Sequence, residues 1–216
     1  MSMTTPFYEL AWVLHTLFLF EVSSTIILDM WFVLLIYFLC KASDSSIKIL
    51  KVLPRRNHDT NLTYSKRLNI VLKRFHTVHV NLNEYLRALR KMYKWLSFVP
   101  LCNATMCTCL ILLLMSKEVN WRFAPHMLPM FAEIFTYNWF GEQIKTKAIE
   151  LKHAMLEFDW TGLRMKDKKS YYIILIFIQN ECGIKTAVGN DLSLITMTAV
   201  LKVTYQAFTV LRSLDK

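Results

Sequence analysis

Glycine and proline are scarce in this sequence: four glycines and five prolines occur among its 216 residues. Disordered and loop-rich chains contain far more of both residues, so this composition excludes those classes. Acidic residues are also few, 16 against 26 lysines and arginines, and the formal net charge is +10. Such a charge can indicate nucleic-acid binding. No motif of a nucleic-acid-binding fold is present, however, and the apolar runs are too long for that class.

The patterns that carry catalysis or metal binding are also missing. No nucleophile–base–acid arrangement, glycine-rich phosphate loop or carboxylate pair is visible, and the five cysteines lack zinc-type spacing. His76 and His79 are three residues apart, but no third ligand lies near them in the sequence. We therefore expect no enzymatic activity, no catalytic residues, no cofactor and no metal. The cysteines are expected to be buried free thiols.

Apolar residues, by contrast, are abundant. The chain is 54% hydrophobic and 19% charged, with a mean hydropathy of +0.30. Typical soluble domains are about 45–50% apolar and about 25% charged. Four segments are apolar and long enough to be membrane spans. They cover approximately residues 10–40, 95–115, 123–141 and 192–211.

The basic residues are sorted by region, and this indicates an orientation. Twenty of the 26 lie in two connections, within residues 41–94 and 142–170. Because lysine and arginine concentrate on the cytoplasmic side of membrane proteins, both connections are expected to be cytoplasmic. Helical spacing of apolar residues indicates that the cytoplasmic regions 41–94 and 142–180 are largely helical. The C-terminus is then extracellular.

The fold class predicted is all-α, a single polytopic membrane bundle of four transmembrane helices with long cytoplasmic helical extensions. The last helix is expected to be broken, because a short apolar piece, Tyr171–Ile178, is followed by a polar stretch before the final span. Four spans with inner basic loops place both termini outside. Since no signal peptide is recognisable at the start, we expect further sequence upstream.

Several motifs resemble one family, the insect odorant receptors. The C-terminal stretch 200–213 is similar to that family's signature, with Leu201-Lys202, Tyr205, Phe208-Thr209 and Leu211-Arg212-Ser213. Further similarities are Phe158-Asp159-Trp160, the stretch 135–142 and Asp29 late in a long span. The related gustatory receptors carry Gln-Phe where this chain has Leu211-Arg212, which favours the odorant branch.

The resemblance implies an odorant-gated cation channel in the plasma membrane. Members of the family have seven spans and assemble as tetramers with an obligate olfactory coreceptor. The final span lines the pore, and the cytoplasmic ends of the last helices form an anchor between subunits. Family members are longer than this chain, whose four spans correspond to the fourth to seventh. The implied partners are a small, volatile, apolar ligand, the coreceptor and the lipid bilayer.

Three groups of candidate residues follow from the topology and the resemblance. An odorant site should be apolar and aromatic with few polar groups. The residues expected there are Tyr8, Trp12, His15, Met127, Met130 and Phe131. The residues expected at the pore or gate are Thr204, Phe208, Leu211 and Arg212. Those expected at the subunit anchor are Trp160, Tyr171 and Tyr172. Ordinary helix packing or lipid contact is the alternative role for every one of them.

Two other functions remain open at this stage. Glu21 and Asp29 lie inside the first span and Lys202 inside the last. Charged residues in spans often mark polar pathways, so a small polytopic transporter is one alternative, although both acids could simply be satisfied within the bundle. A truncated, non-conducting receptor fragment is the other.

Overall fold

The computed structural model describes residues 5–52, 61–117, 124–179, 183–186 and 189–214. For a few helical positions, Glu21 and Leu211 among them, the description covers the backbone alone. Six helices occupy the described residues: α1 (Thr5–Lys51), α2 (Asn61–Leu96), α3 (Phe98–Lys117), α4 (Ala124–Leu156), α5 (Met165–Ile178) and α6 (Leu194–Leu214). The all-α prediction is confirmed. The stretch Pro54–Asp59, where the proline would interrupt a helix, lies outside the described residues, as do residues 118–123 between the second and third predicted spans.

Helix α1 is continuous from Thr5 to Lys51, so the predicted first span and the start of the first cytoplasmic region are one helix. The chain divides into two compact units, residues 1–37 and 38–216. In the first unit, α1 exposes large apolar side chains, with Phe20 at 74% and Trp12 at 63%. A soluble helix would hide such side chains, and lipid accepts them.

The predicted cytoplasmic helix and the second span meet at a single residue, Ser97, which separates α2 from α3. Hydrogen bonds cross this point, because the Ser97 amide donates to the Tyr93 carbonyl at 3.1 Å and the Leu101 amide to the Ser97 carbonyl at 3.3 Å. Pro100 has no amide hydrogen to donate to the carbonyl of Leu96, four residues earlier. The interruption at Ser97 is therefore local, and the helical direction carries on.

Helix α4 joins the predicted third span to its predicted cytoplasmic extension. It ends at Leu156, although the apolar spacing predicted that the helix would continue. Phe158 instead enters the core, with 2% of its surface exposed. The Asp159 carboxylate then accepts hydrogen bonds from the Thr161 hydroxyl and the Gly162 amide, at 2.5 and 3.3 Å. These bonds stabilise a turn that leads into α5.

The predicted break before the last span is present between α5 and α6. Across the break, the Leu192 amide donates to the Ile184 carbonyl at 2.9 Å, and Lys185 pairs with Asp191 in an isolated antiparallel bridge. Gly189 has φ +90°, a left-handed conformation that glycine adopts without steric cost. The connection therefore folds back on itself before α6 begins.

The main apolar core lies in the part of the chain predicted to be cytoplasmic. It joins the end of α1, the first half of α2, the end of α4 and α5. Its buried members are Ile47, Leu50, Tyr64, Leu68, Leu72, Phe75, Leu151, Ala154, Met155, Phe158, Leu163, Tyr171, Ile174 and Ile178. Polar contacts border this core. Tyr64 donates its hydroxyl to Asp159 at 2.9 Å, and Asn69 donates to Asp167 at 2.9 Å.

Two helical stretches of the described chain are long and apolar enough to cross a membrane, Ser23–Lys51 and Leu62–Leu114, with a shorter apolar helix at Leu194–Val210. In their most apolar windows, 17% and 28% of residues are buried. The core helix of a soluble protein would be mostly buried, so these helices have apolar surfaces suited to lipid. Their count is smaller than the four spans of the sequence prediction, which stays a prediction.

Hydroxyl groups in the apolar helices are satisfied within their own helix. Thr16 donates to the Trp12 carbonyl at 2.8 Å, Thr105 to the Leu101 carbonyl at 2.6 Å, and Thr108 to the Ala104 carbonyl at 2.7 Å. Hydrocarbon offers no other partner to a polar group, so bonding within the segment is what a membrane helix requires.

Candidate functional site

A set of buried polar contacts joins α4 to the start of α6. Asn138 is completely buried, and its Oδ1 accepts a hydrogen bond from the Ser193 amide at 3.2 Å. Its Nδ2 donates to the Ile134 carbonyl at 2.8 Å. One turn later, the Glu142 carboxylate accepts from the Leu194 amide at 3.2 Å. A helix start has amides without partners in the helix and a partial positive charge. Asn138 and Glu142 satisfy both needs.

Lys145 extends the same face of α4 by a further turn. Its ammonium contacts the Asp191 carboxylate at 2.9 Å. Asn138, Glu142 and Lys145 are spaced i, i+4 and i+7, which places them on one side of the helix. They contact Ser193, Leu194 and Asp191 respectively, so α4 holds the last residues before α6 and its first turn. We call this set of contacts the α4–α6 junction.

Gly141 lets the two backbones approach at this junction. A Cβ atom at Gly141 would overlap the backbone oxygen and the Cβ of Leu192. Leu192 is completely buried. The glycine is therefore needed for close approach and not for an unusual backbone angle.

Residues next to the start of α6 in the chain also cap this helix. The Ser193 hydroxyl accepts from the Thr196 amide at 3.3 Å, which is the arrangement of a helix N-cap. The Thr196 hydroxyl donates to the Asp191 carbonyl at 2.6 Å. The stretch 135–142 carries a family resemblance in the sequence, but no contact could be predicted from it. The Ser193-x-x-Thr196 spacing was the available signal for the cap.

The predicted pore residues differ in their exposure along α6, which packs against α3 and α4. Thr204 is buried at 4% and donates its hydroxyl to the Val200 carbonyl at 2.9 Å. Phe208, one turn on, is half-buried, with its ring 6.3 Å from that of Tyr205. Arg212 is exposed, and the side chain of Leu211 lies outside the description. A side chain that lines a pore between subunits must be exposed in one subunit, so Thr204 has the position of a packing residue.

The predicted ligand residues fall into the two units. In the first unit, Trp12 and His15 lie three residues apart on α1 and both are exposed, as is Tyr8. In the second unit, Met127 and Met130 are half-buried on the first turns of α4, and Phe131 is 40% exposed.

The predicted ligand residues of α4 lie on either side of Pro129. Because Pro129 has no amide hydrogen, the Pro125 carbonyl lacks its helical partner there. The beginning of α4 thus combines adaptable methionines with a weakened helical turn.

The three predicted anchor residues form one aromatic cluster with Phe158. Tyr171 is stacked between Phe158 and Trp160, with ring centroids 6.1 and 6.3 Å away, and its hydroxyl donates to the Met155 carbonyl at 3.0 Å. Tyr171 is buried within the chain, whereas Trp160 is 37% and Tyr172 46% exposed. Burial, together with nearby Tyr172, raises the pKa of the Tyr171 phenol. Trp160 and Tyr172 are therefore the members available to another subunit.

His79, one of the two histidines considered as metal ligands, is 7% exposed and stacks on Phe75 at 5.6 Å. Within the described residues, no group of three or more histidines, cysteines, aspartates or glutamates could hold a metal ion. The structure thus assigns His79 to helix packing.

The long helices with exposed apolar surfaces and internally satisfied hydroxyls are those of a helical membrane protein. Comparison with family models specifies the class further. The chain belongs to the 7tm Odorant receptor family, whose model matches residues 1–205. It is thus a membrane receptor of olfaction, with odorants as its ligands. No curated protein shows a significant match to this chain.

Proposed function

We propose that this chain is a subunit of an odorant-gated cation channel that assembles with an olfactory coreceptor in the plasma membrane. The observation that carries the proposal is the α4–α6 junction. One helix, α4, presents the adaptable residues proposed for ligand contact near its start and holds the first turn of α6 further along. By family resemblance α6 lines the pore, so α4 would connect the proposed ligand site to the pore helix.

The distance along α4 suits this role. Met127 and Glu142 are fifteen positions apart, which is about 22 Å along a helix at about 1.5 Å per residue. A ligand that contacts Met127, Met130 and Phe131 near Pro129 would tilt the helix at its weakened turn. Because Asn138 and Glu142 bond to the α6 amides, that tilt would be passed directly to the start of α6.

At the far end of α6, Phe208 and Leu211 are proposed to form an apolar constriction, and Arg212 to set the field at the pore mouth. An apolar constriction closes a pore by excluding water. Thr204 holds α6 against its neighbours and so fixes where Phe208 points. We expect Phe208→Ala to raise the basal current at unchanged surface expression. An unaltered basal current would contradict the gate assignment.

The test of the proposed function is to express the chain with a coreceptor subunit in cells that do not respond to odorants, and to record membrane currents while a panel of volatile apolar compounds is applied. Glu142→Ala removes the acceptor of the Leu194 amide. A helix cap is worth about 1 kcal/mol, so the odorant concentration for half-maximal current should shift by up to about fivefold. Glu84→Ala is the matched control, because Glu84 is exposed on α2.

Three outcomes are informative. Odorant-evoked currents that respond to Glu142→Ala and not to Glu84→Ala support both the channel and the role of the junction. Currents unaffected by either change support the channel and contradict the junction. No current at normal surface expression with the coreceptor would identify the chain as a non-conducting member of the family.

A further inference from the structure

A basic cavity of about 730 Å³ lies where the end of α2, the middle of α4, the end of α5 and the connection to α6 come together. Pockets of about 300–1,000 Å³ hold small molecules. Alanine and isoleucine side chains form part of its wall, and five cationic side chains surround it. These are Arg90, Lys94, Lys145, Lys152 and Lys185. We call this space the basic cavity.

The charges around the basic cavity do not cancel. Among the described lining residues, Asp191 is the single carboxylate. It forms an ion pair with Lys145, whose Nζ lies 2.9 Å from the Asp191 Oδ2. Lys94 and Lys152 are exposed and form no ion pair with any residue that the structure describes. Like charges gathered around a concave space raise the local concentration of anions. The lining therefore favours an anion that carries more than one charge.

The backbone around the cavity is held in place by its own hydrogen bonds. Arg90 donates its Nε–H to the Gly183 carbonyl at 2.7 Å, which ties α2 to the connection. The Thr186 amide donates to the Asn190 carbonyl at 2.8 Å, and the Gly189 amide to the Thr186 carbonyl at 2.9 Å. Hydrogen bonds therefore brace the connection, and binding would mainly require the long cationic side chains to become ordered.

The position of the basic cavity relative to the predicted spans indicates where a bound anion would come from. Lys94 directly precedes the predicted second span, Lys145 follows the predicted third span, and Asp191 directly precedes the predicted fourth. On the predicted orientation these are the cytoplasmic ends of three spans, the level of the inner-leaflet headgroups. Basic pockets between membrane helices on this side bind phosphorylated lipid headgroups. This step rests on the membrane orientation proposed for the chain and is independent of odorant gating.

We propose that the basic cavity binds a phosphorylated inositol group, the headgroup of a phosphoinositide in the inner leaflet. A single phosphodiester would pair with one or two cations, whereas a headgroup with additional phosphomonoesters can also pair with both Lys94 and Lys152. Bound there, it would contact α2, α4 and the connection together, next to the α4–α6 junction.

The experiment uses the full chain in nanodiscs of phosphatidylcholine containing a small fraction of phosphatidylinositol bisphosphate, with phosphatidylserine discs and soluble inositol trisphosphate as the other probes. Bound lipid is measured by native mass spectrometry, and soluble ligand by calorimetry. The variant is Lys94→Gln with Lys152→Gln. Two lysines at about 1 kcal/mol each correspond to binding about 30-fold weaker. Lys94→Arg with Lys152→Arg should restore binding.

The matched control is Lys66→Gln with Lys73→Gln, which removes the same charge from exposed positions of α2 outside the cavity. Selective binding of the bisphosphate lipid that falls in the first variant and not in the control supports the site. Equal affinity for inositol trisphosphate would assign it to a soluble polyphosphate of the same chemistry. Equal loss in both double variants, or equal binding of phosphatidylserine, would overturn the proposal, because either means diffuse attraction to the bilayer.

Discussion

Replacing Asn138 by alanine is expected to loosen the start of α6 selectively. The side chain is fully buried, and its Oδ1 is the acceptor for the Ser193 amide at 3.2 Å. Ser193 itself is 2% exposed, so water has little access to replace that acceptor. A buried donor left without a partner costs about 1–3 kcal/mol. The local opening of the junction should therefore become easier by about 2 kcal/mol, or about 30-fold in its equilibrium constant.

Hydrogen–deuterium exchange on the purified chain in detergent measures this opening directly, because an amide exchanges only when its segment opens. We expect the protection of the Ser193 and Leu194 amides to fall about 30-fold in Asn138→Ala, with helix α2 unchanged. Asn81→Ala is the matched control, since Asn81 is an exposed helical asparagine on α2. Unchanged protection at Ser193 in Asn138→Ala would refute the conclusion that α4 holds the start of α6.

Three further predictions concern other parts of the molecule. Gly141→Ala forces a Cβ against Leu192, and overpacking costs about 1–3 kcal/mol, so a thermal unfolding scan should show a lower midpoint; an unchanged midpoint would mean that the helices can separate freely. Hydrogen bonds, first from Thr161 and then from Tyr64, hold the pKa of Asp159 below its ordinary value of 3.8; its stabilising effect is present above that pH and is lost as the pH falls through the lower, folded-state value. This loss of stability at low pH should be absent in Asp159→Asn when the free energy of unfolding is measured against pH. The same decrease at low pH in both proteins would contradict this. Trp160→Ala with Tyr172→Ala should reduce co-purification with the proposed coreceptor while the isolated chain keeps its helical content, and undiminished co-purification would contradict their assignment to the proposed anchor.

Much of the fold could be read from residue patterns because those patterns are local. Helical spacing of apolar residues within 41–94 predicted the helix α2, and the scarcity of glycine and proline excluded a loop-rich chain. The early end of α4 at Leu156 could not be seen in this way. Periodicity runs on to Trp160, but burial of Phe158 against Tyr171 favours a turn there. Tertiary packing overrides local preference at such a position.

The candidate sites were also predictable from the sequence only in part. Trp160, Tyr171 and Tyr172 were predicted at the subunit anchor, and their rings do lie together, although the anchor role itself stays a prediction. Which of them faces outward depends on packing, and this separates buried Tyr171 from its two neighbours. On α6, Thr204 and Phe208 share a helix face by spacing alone. That Thr204 is buried against neighbouring helices while Phe208 stays half-buried was not readable from the spacing.

The sequence by itself determined the class of this protein, its long apolar helices and the sorting of its basic residues by region, because composition and periodicity are properties of each segment taken alone. Only the tertiary structure decided the α4–α6 junction and the basic cavity. Asn138 and Ser193 are separated by 55 positions, and Arg90 and Gly183 by 93. Contacts of this kind depend on which faces of distant helices pack together, and no local pattern in either segment specifies that choice.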